Sequence, residues 1–276
     1  MIAHLINTDV GGRGILRLYL DYRRENFNFL HNSATMLLNN FKRVLIVTGF
    51  PIPPADIPET DGPPGALAVA LAVEKLGGRA DILTYPEIRG ALTEFWDSFV
   101  ERPRISEYSL VIAIETPGKS SDGMHYSMSG LEIKREALDG VVLEARRRGI
   151  PTIGIGDGGN EAGMGKVREL VVRYIPQGEK IASVVETDEL ITSAVSNWGA
   201  YGLVAEASML TGENLLGDFD EVGIVKALAE AGIIDGVTKR ADVSVDGIDM
   251  EVHSMIMKFL KAIVEQRVKD KLKLEL

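Results

Sequence analysis

The sequence contains no cysteine, which excludes disulfide bonds, thiolate metal ligands and a cysteine nucleophile. It has 4 histidines, and none of them lies in an HxH or HExxH pattern. Such patterns are typical of zinc sites, so a histidine-based metal centre is not expected. The candidates for chemistry are therefore carboxylates, amides and basic side chains.

Positive charge and long apolar runs are also scarce. The 30 Lys and Arg residues face 40 Asp and Glu residues, which gives a formal net charge of -10. Nucleic-acid partners usually require a basic face, so none is expected. The sequence contains no apolar run of about 18 residues and no basic N-terminal segment followed by an apolar one, so neither a membrane span nor a signal peptide is predicted. The expected location is the cytoplasm.

The order of apolar runs predicts an α/β fold. The 276 residues are 45% hydrophobic and 25% charged, which is ordinary for a globular protein, and one domain over 1–276 is expected. We predict a helical N-terminal segment (1–41), a βα core (42–212) and C-terminal helices (213–276). Strands that alternate with helices favour a three-layer, mostly parallel, Rossmann-like sheet flanked by helices. Strands are predicted at 44–47, 81–85, 110–116, 150–155 and 181–186, and core and C-terminal helices at 66–76, 88–100, 133–148, 196–210, 219–231 and 250–272.

The segment 153–165 is the most informative part of the chain. Glycine occupies 6 of its 13 positions, and its other polar residues are Asp157, Asn160 and Glu161. It follows a predicted strand, and open α/β sheets bind ligands at the carboxyl ends of their strands. A tight strand-to-helix turn needs one or two glycines, whereas this many allow several backbone N–H groups to point toward one site. A functional site is therefore favoured over a simple turn.

The side chains of this segment suit more than one chemistry. Asp157 and Glu161 can act as an acid and a base, or can bind Mg²⁺ or Mn²⁺ as hard oxygen ligands. Asn160 can orient a carboxylate or a metal-bound water. The backbone N–H groups of Gly158 and Gly159 can bind an oxyanion.

This segment resembles two nucleotide-binding motifs, but neither resemblance indicates a nucleotide site. Residues 154–159 fit the GxGxxG spelling, yet the carboxylate of Asp157 inside the loop would repel a pyrophosphate. The sequence GMGK at 163–166 resembles part of a Walker loop, but Val167 stands where that motif needs serine or threonine. Neither a flavin nor a nicotinamide cofactor is therefore expected.

Polar side chains also follow other predicted strands, and the carboxyl ends of parallel strands meet at one edge of a sheet. The first of these loops contains Glu59 and Asp61, of which Asp61 can instead cap the following helix. The second loop contains Asp122, His125 and Tyr126. The histidine suits general base catalysis, although a single histidine in a polar loop is more often only exposed.

Two further regions complete this set of polar loops. The last loop contains Glu186 and Asp188, and Asn197 follows at the start of a helix that it can cap. Near the N-terminus, Arg13 lies among glycines and suits a bidentate contact with a substrate carboxylate. The recurrence of polar loops after strands is the strongest internal argument for one shared site.

Five segments together resemble the family named for the C-terminal domain of D-glutamate cyclase. They are VTGFPIP at 47–53, ETDGPPGA at 59–66, DG with YxMxG over 122–130, GDGGNE with GMGK over 156–166, and VSNWG at 195–199. The resemblance implies a lyase that cyclises D-glutamate to 5-oxo-D-proline with loss of water. It also implies that larger relatives carry a further N-terminal domain, in which their chemistry can lie partly or wholly.

The implied cyclisation requires a base for the ammonium group and an acid or divalent metal that activates the leaving oxygen. We expect Glu161 to be the acid/base residue and Asp157 to bind a metal or the ammonium group, with Glu59 and Asp61 as further catalytic candidates. If the cofactor is Mg²⁺ or Mn²⁺, Asp157 and Glu161 are its predicted ligands. The predicted substrate-binding residues are Gly158, Gly159, Asn160, Arg13, Asp122, Tyr126 and Asn197.

Two other functions stay open beside this one. The first is a metal-dependent hydrolase or phosphate-handling enzyme that uses the acidic glycine segment. The second is a non-catalytic domain that binds a metabolite. For the leading function the partner is a small carboxylate or amino acid. The long last helix can pack on its own domain or on a second copy of the chain, so a homodimer also stays open.

Overall fold

The computed structural model describes residues 1–217 and 219–274, and in the last helix it describes side chains as far as Lys269. Residues 218, 275 and 276, which belong to the predicted C-terminal segment, lie outside this range. The helices are α1 (Ile2–Ile6), α2 (Ile15–Glu25), α3 (Phe29–Asn40), α4 (Pro63–Lys75), α5 (Pro86–Leu92), α6 (Gly140–Arg147), α7 (Arg168–Tyr174), α8 (Gly178–Ile181), α9 (Ser196–Thr211), α10 (Glu221–Glu230) and α11 (Met250–Leu274). The strands are β1 (Arg43–Thr48), β2 (Pro51–Ile52), β3 (Ile57–Pro58), β4 (Arg79–Leu83), β5 (Phe99–Val100), β6 (Leu110–Ile114), β7 (Thr152–Gly156), β8 (Glu189–Thr192), β9 (Ser244–Val245) and β10 (Ile248–Asp249).

The centre of the fold is a parallel sheet of six strands in the order β5-β4-β1-β6-β7-β8. Every neighbouring pair in this sheet is parallel. The chain runs from β1 outward through β4 and β5, and then returns to β6 and runs outward through β7 and β8. The strand order therefore reverses between β1 and β6, which is where doubly wound sheets bind ligands. This confirms the predicted α/β architecture.

The strands bury both faces of the sheet, and alternate side chains separate two cores. In β1, Val44 and Ile46 belong to the larger core, whereas Leu45 and Val47 face the smaller one. Helices α3, α4 and α9 pack on the larger core, and α6 packs on the other face. The result is the expected three layers, with helices on each side of one sheet.

Helices α4 and α9 pack closely against each other. Helix α9 is buried nearly all round, because its small residues allow neighbouring helices to approach and Trp198 and Tyr201 fill the remaining space. A Cβ atom at Gly65 of α4 would lie 2.8 Å from the Cβ of Ala200. Glycine at residue 65 is therefore required by the distance between the two helices.

The predicted strand at 181–186 is wrong. Helix α8 ends at Ile181, and the strand of the sheet is β8, which begins at Glu189. The intervening segment bonds with the glycine segment instead: the carbonyl of Val185 accepts hydrogen bonds from the N–H groups of Gly163 and Gly165. Glu186 and Asp188 consequently precede the strand rather than follow it.

Two predicted helices are longer than the helices that form. The prediction over 133–148 contains only α6, because Ile133 packs against Phe50 and Ile52 in a small separate cluster. The prediction over 88–100 contains part of α5 and then β5, which pairs with β4. In both segments tertiary contacts override the local helical pattern. The antiparallel pair β9–β10 was not predicted.

The last helix packs on the domain through one side. Leu260 and Ile263 of α11 are buried in the larger core. Met255 and Phe259 are 57% and 53% exposed. Single exposed apolar side chains are common, so the homodimer stays a prediction. None of the helices in the described ranges combines the length and the apolar character that a membrane crossing requires.

We predict that Gly65→Ala destabilises the fold, because the added methyl group would overlap Ala200 and also lie 3.2 Å from the Cα of Asn197. The free energy of unfolding should fall by about 1–3 kcal/mol in urea titrations. The matched control is Gly90→Ala in α5, where nothing lies within 4 Å of the new Cβ. That variant should be neutral or gain up to about 1 kcal/mol. Equal effects of the two substitutions would contradict the close packing of α4 on α9.

Candidate active site

A buried cavity of about 230 Å³ lies among the loops that follow the strands. Glu115 comes directly after β6 and Asp157 directly after β7, which places both at the carboxyl edge of the sheet. The volume is below the roughly 300–1,000 Å³ of sites for drug-sized ligands, so the cavity suits a small metabolite. Its charged lining residues are Arg13, Glu59, Glu115, Asp157, Glu161, Lys239 and Asp246.

Carboxylates outnumber cations in this lining by five to two. Each of the five carboxylate residues is less than a tenth exposed, whereas Lys239 stands at the solvent side. Buried carboxylates need a cation, a hydrogen-bond donor or a proton, because water no longer stabilises their charge. The cavity uses all three means.

Arg13 supplies the buried cation. Its guanidinium forms an ion pair with Asp157, another of 2.7 Å with Asp246, and a hydrogen bond of 2.9 Å to the carbonyl of Ala194. Asp9 holds the loop, since its carboxylate accepts the N–H of Arg13 at 2.9 Å. Burial alone would lower the pKa of Arg13, but the two carboxylates raise it well above its usual range. Arg13 lines the cavity, and both of its terminal nitrogens bind protein oxygens, so its contact with a substrate carboxylate stays a prediction.

Glu161 fills the turn that the glycine segment forms. Its carboxylate accepts the N–H groups of Gly158 at 2.6 Å and Gly159 at 2.7 Å, and that of Asp157 at 3.3 Å. Three N–H groups converge on one anion, as expected for such a segment. The acceptor is the protein's own Glu161 side chain, and the binding of a substrate oxyanion by Gly158 and Gly159 stays a prediction.

Several of the other glycines serve close packing. A Cβ at Gly154 would lie 2.7 Å from the Cα of Gly163, and a Cβ at Gly163 would lie 2.8 Å from the Cα of Gly154. The backbone of the segment folds back on β7 at a distance that only glycine permits. The abundance of glycine therefore has a structural cause in addition to the turn around Glu161.

Asp61 and Asn197 cap each other's helices. The carboxylate of Asp61 accepts the N–H groups of Ser196 and Asn197 at the start of α9, both at 2.8 Å. The side-chain oxygen of Asn197 accepts the N–H groups of Gly62 at 3.0 Å and Gly65 at 2.9 Å at the start of α4. Asp61 thus caps α9 rather than the helix that follows it in sequence. Neither side chain lines the cavity, and the two residues instead position the starts of α4 and α9 behind it.

Burial raises the pKa of four carboxyl groups at the site. Burial, together with the charges of Asp246 and Asp61, raises the pKa of Glu59 well above its usual range. Burial likewise raises the pKa of Glu115, with the charge of Glu161 adding to it, and the pKa of Asp157, although Arg13 opposes this. Burial and Asp246 raise the pKa of Asp61 to about 7, although its N–H partners oppose this. Carboxyl groups with a raised pKa can donate protons.

The second predicted loop does not contribute its candidate side chains. Asp122 is exposed and accepts a hydrogen bond of 2.6 Å from the hydroxyl of Tyr126, and neither side chain lines the cavity. His125 lies 3.1 Å from Asp139 and also stands apart. Tyr126 acts only through its carbonyl, which accepts the side-chain N–H of Asn160 at 2.7 Å. The side chains of Asp122 and Tyr126 therefore lie outside the cavity.

The fourth predicted loop lies at the other end of the sheet. Asp188 accepts hydrogen bonds of 2.8 Å from the backbone and the side chain of Thr152, the first residue of β7. Glu186 is exposed and lies 3.3 Å from Arg146. Both carboxylates are therefore at the amino ends of the strands and distant from the cavity.

Three residues of the site had no predicted role, and one of them, Glu115, is a polar residue of the second predicted loop. Glu115 has a φ of 45°, an uncommon value for a residue with a side chain, at the end of β6. Asp246 lies in the turn between β9 and β10, with a φ of 56°. The sequence Asp-Gly between apolar residues at 245–248 is a hairpin signal that would have located this turn. Nothing in the sequence marked Lys239.

Two groups of carboxylates have the spacing that a metal ion requires. Asp61, Asp157 and Asp246 form one group, and Glu115, Asp157 and Glu161 form the other. Within each group the oxygen atoms lie within 4.8 Å of one another. The predicted ligands Asp157 and Glu161 thus meet at one place, and Asn160 lines the same cavity.

The comparisons with known proteins agree on one family. The family model described as "D-glutamate cyclase-like, C-terminal" matches residues 2–261. The human protein "D-glutamate cyclase, mitochondrial" is 34% identical over 249 residues, which cover 76% of this chain and 38% of that protein. The chain thus spans little more than a third of that relative. Since the relative is mitochondrial by name, the cytoplasmic location stays a prediction.

The similarity to one solved structure is weaker. The "Crystal structure of exonuclease RecJ bound to manganese" aligns with a TM-score of 0.37 and 13% identity, over 73% of this chain and 42% of that one. This similarity is too small to indicate a shared function.

We predict that Glu59→Gln flattens the dependence of stability on pH. The folded chain keeps a proton on Glu59 that the unfolded chain releases above the ordinary pKa of 4.5. Stability from this group is thus complete below pH 4.5 and is lost as pH rises toward the folded pKa. Urea titrations from pH 4 to 9 should show that the free energy of unfolding falls less steeply with pH in the variant. The difference in slope should be at most that of about one bound proton. Parallel curves would contradict the raised pKa.

We predict that Glu161→Gln lowers the free energy of unfolding by about 1–3 kcal/mol, because an amide NH₂ would replace one of the oxygens that face Gly158 and Gly159. Glu186→Gln is the matched control on an exposed carboxylate and should stay within about 0.5 kcal/mol of the unchanged protein. Chemical denaturation of both variants measures the difference. If the two lose the same stability, the glycine turn does not depend on Glu161.

Proposed function

Because the chain belongs to the D-glutamate cyclase-like, C-terminal family, we propose that its acidic cavity takes D-glutamate or a closely related amino acid and cyclises it with loss of water. The product from D-glutamate is 5-oxo-D-proline. The observation that carries the proposal is one small cavity that combines a buried carboxyl group of raised pKa, a carboxylate paired with Arg13, and a lysine that forms no salt bridge within the described residues. The activity of the longer human relative is only proposed for this chain, because the matched region covers 38% of that protein.

The proposed reaction forms one bond and breaks one bond. The α-amino nitrogen attacks the γ-carboxyl carbon, a C–N bond forms, a C–O bond breaks and the oxygen leaves as water. Two protons pass from the nitrogen to that oxygen, so no other reactant is needed. The amine must first lose a proton, and the leaving oxygen must gain protons because oxide is a poor leaving group.

Glu59 is the proposed general acid. It lines the cavity and is 5% exposed, and its raised pKa keeps a proton available at neutral pH. It gives this proton to the leaving oxygen and, once ionised, takes a proton from the nitrogen as the amide forms. Asp246, in an ion pair with Arg13, is positioned on the same cavity to attract the substrate ammonium, to accept its first proton and to give that proton to the leaving oxygen, which then departs as water.

Lys239 is the proposed anchor for the α-carboxylate. Its ammonium group forms no salt bridge with any residue in the described ranges, and it lies at the solvent side of the cavity. Its charge also acts on Glu59, whose pKa it lowers slightly against the effect of burial. Arg13 is not available for this contact, because its terminal nitrogens are bound to Asp157, Asp246 and Ala194.

A phosphate-handling enzyme is less well supported by the same cavity. The N–H groups that would cradle a phosphate are bonded to Glu161, and the surrounding carboxylates repel anions. A non-catalytic domain that binds an amino acid needs the same cavity as the proposed enzyme. Turnover distinguishes these two functions.

We predict that the purified chain converts D-glutamate, and not L-glutamate, to 5-oxo-D-proline, measured by chiral chromatography with and without Mg²⁺ or Mn²⁺. Glu59→Gln should lower kcat by about 10²–10⁴-fold, the usual contribution of a general acid. Lys239→Met should raise KM and leave kcat nearly unchanged, because it removes binding and no chemistry. Asp122→Asn, outside the cavity, should behave like the unchanged protein.

Calorimetry with D-glutamate separates the remaining outcomes of this experiment. Binding that Lys239→Met weakens, without turnover under any metal, would overturn the enzyme and leave a binding domain. Neither binding nor turnover would overturn the proposed substrate class. Turnover that Glu59→Gln does not reduce would reject the proposed acid alone.

A further inference from the structure

Arg13 forms ion pairs with two members of one carboxylate group and with one member of the other. Arg13 bonds with Asp157 and Asp246, so it neutralises the group that these two form with Asp61. All oxygens of Asp61 are also engaged by backbone N–H groups. That group therefore needs no further positive charge.

The second group, Glu115, Asp157 and Glu161, brings three buried carboxyl groups together. The three residues are 5%, 3% and 1% exposed, and one oxygen from each lies within 4.8 Å of the others. Among them, Arg13 forms an ion pair only with Asp157. Three buried carboxyl groups at this distance favour a bound cation, because a cation stabilises their ionised forms where burial removes the water that would do so.

Asn160 gives an independent indication of a ligand. It is 1% exposed and lines the cavity, and its side-chain oxygen Oδ1 has no hydrogen-bond partner in the described part of the chain. The amide cannot turn freely, since its Nδ2 donates to the carbonyl of Tyr126 at 2.7 Å. A buried acceptor without a donor is costly, and a cation in the cavity would satisfy it.

This oxygen lies beside one of the carboxylates. A Cβ built on Gly158 would meet Met128 Sδ at 2.5 Å, Asn160 Oδ1 at 2.8 Å and Glu161 Oε1 at 2.9 Å, so both oxygens lie beside the same glycine. Glycine is required at residue 158, because a side chain there would overlap these atoms. The amide oxygen of Asn160 and the carboxylate of Glu161 therefore lie at one place in the site.

The carboxylates are held in place and still have free lone pairs. Glu161 is fixed by the N–H groups of Gly158 and Gly159. Glu115 accepts the hydroxyl hydrogen of Ser196 on Oε2 at 2.6 Å, and in the described residues its Oε1 accepts none. A carboxylate has about four acceptor positions, so each group retains capacity for a cation.

We propose that Glu115, Asp157 and Glu161, with Oδ1 of Asn160, bind one divalent cation of the Mg²⁺ or Mn²⁺ class. All the donors are oxygens, and three of them are carboxylates, which suits hard cations and not those that prefer nitrogen or sulfur ligands. Asp157 belongs both to this site and to the ion pair with Arg13. The inference does not depend on the proposed reaction, because binding is measured without substrate.

The test is a titration of the full chain with Mn²⁺ after treatment with EDTA and removal of the chelator. The paramagnetic signal of free Mn²⁺ and calorimetry should both give one bound ion per chain, and Mg²⁺ should displace it. The melting temperature should rise with Mn²⁺ concentration, because the ion binds the folded state. Absence of saturable binding would overturn the proposal.

Three variants identify the ligands. Glu115→Gln keeps the size of the side chain and removes one charge, and it should weaken Mn²⁺ binding at least tenfold. Asn160→Asp adds a carboxylate at the unpartnered oxygen, and it should tighten binding several-fold and enlarge the Mn²⁺-dependent rise in melting temperature. Asp122→Asn, an exposed carboxylate outside the cavity, should leave binding unchanged.

The variants act in opposite directions, so loss of folding cannot produce the expected pattern. Tighter binding by Asn160→Asp requires an intact site, whatever Glu115→Gln does to stability. Unchanged binding in both cavity variants would overturn the proposed ligand set. Equal weakening by Asp122→Asn and Glu115→Gln would assign the ion to the acidic surface instead.

Discussion

The ion pairs of Arg13 are the interaction on which the rest of the site depends. One guanidinium bonds with Asp157 and Asp246, which are 144 and 233 residues away in the chain. It thereby connects the loop before α2, the glycine segment after β7 and the turn of the β9–β10 pair. Without a buried cation the carboxylates of the cavity would have to take up protons or separate. The site is thus a compromise in which one side chain of fixed charge permits several acids to remain close.

The second constraint is the mutual capping at the point where the strand order reverses. Asp61 and Asn197 each satisfy the first N–H groups of the other's helix, so α4 and α9 are positioned together. Both helices begin beneath the cavity, and helix N-termini favour negative charge. The helix N-termini stabilise the negative charge of the acidic site, and Glu59 and Lys239 line the cavity.

The sequence predicted those parts of the molecule that depend on local pattern. The apolar runs of β1, β6 and β7 predicted the parallel sheet, and the polar residues after them predicted the edge at which Glu59, Asp157 and Glu161 lie. The partners of those residues could not be predicted, because they depend on contacts between distant segments. A glycine-rich turn is identical in sequence whether its N–H groups bind a ligand or Glu161. The strand at β8 was misplaced for the same reason, since residues before it pair with loops outside the sheet.

The order in which the ribosome makes the chain gives the Arg13 ion pairs a further consequence. Arg13 emerges early, Asp157 later and Asp246 last, yet all three must meet before the cavity exists. The sheet and most of the larger core can assemble from residues made before Asp246, in line with the tendency of N-terminal parts to fold first. During synthesis the nascent protein therefore passes through a period in which its architecture is nearly complete and its acidic pocket is still open on one side. Ligand binding at this cavity therefore requires that the β9–β10 turn has been made and has reached Arg13.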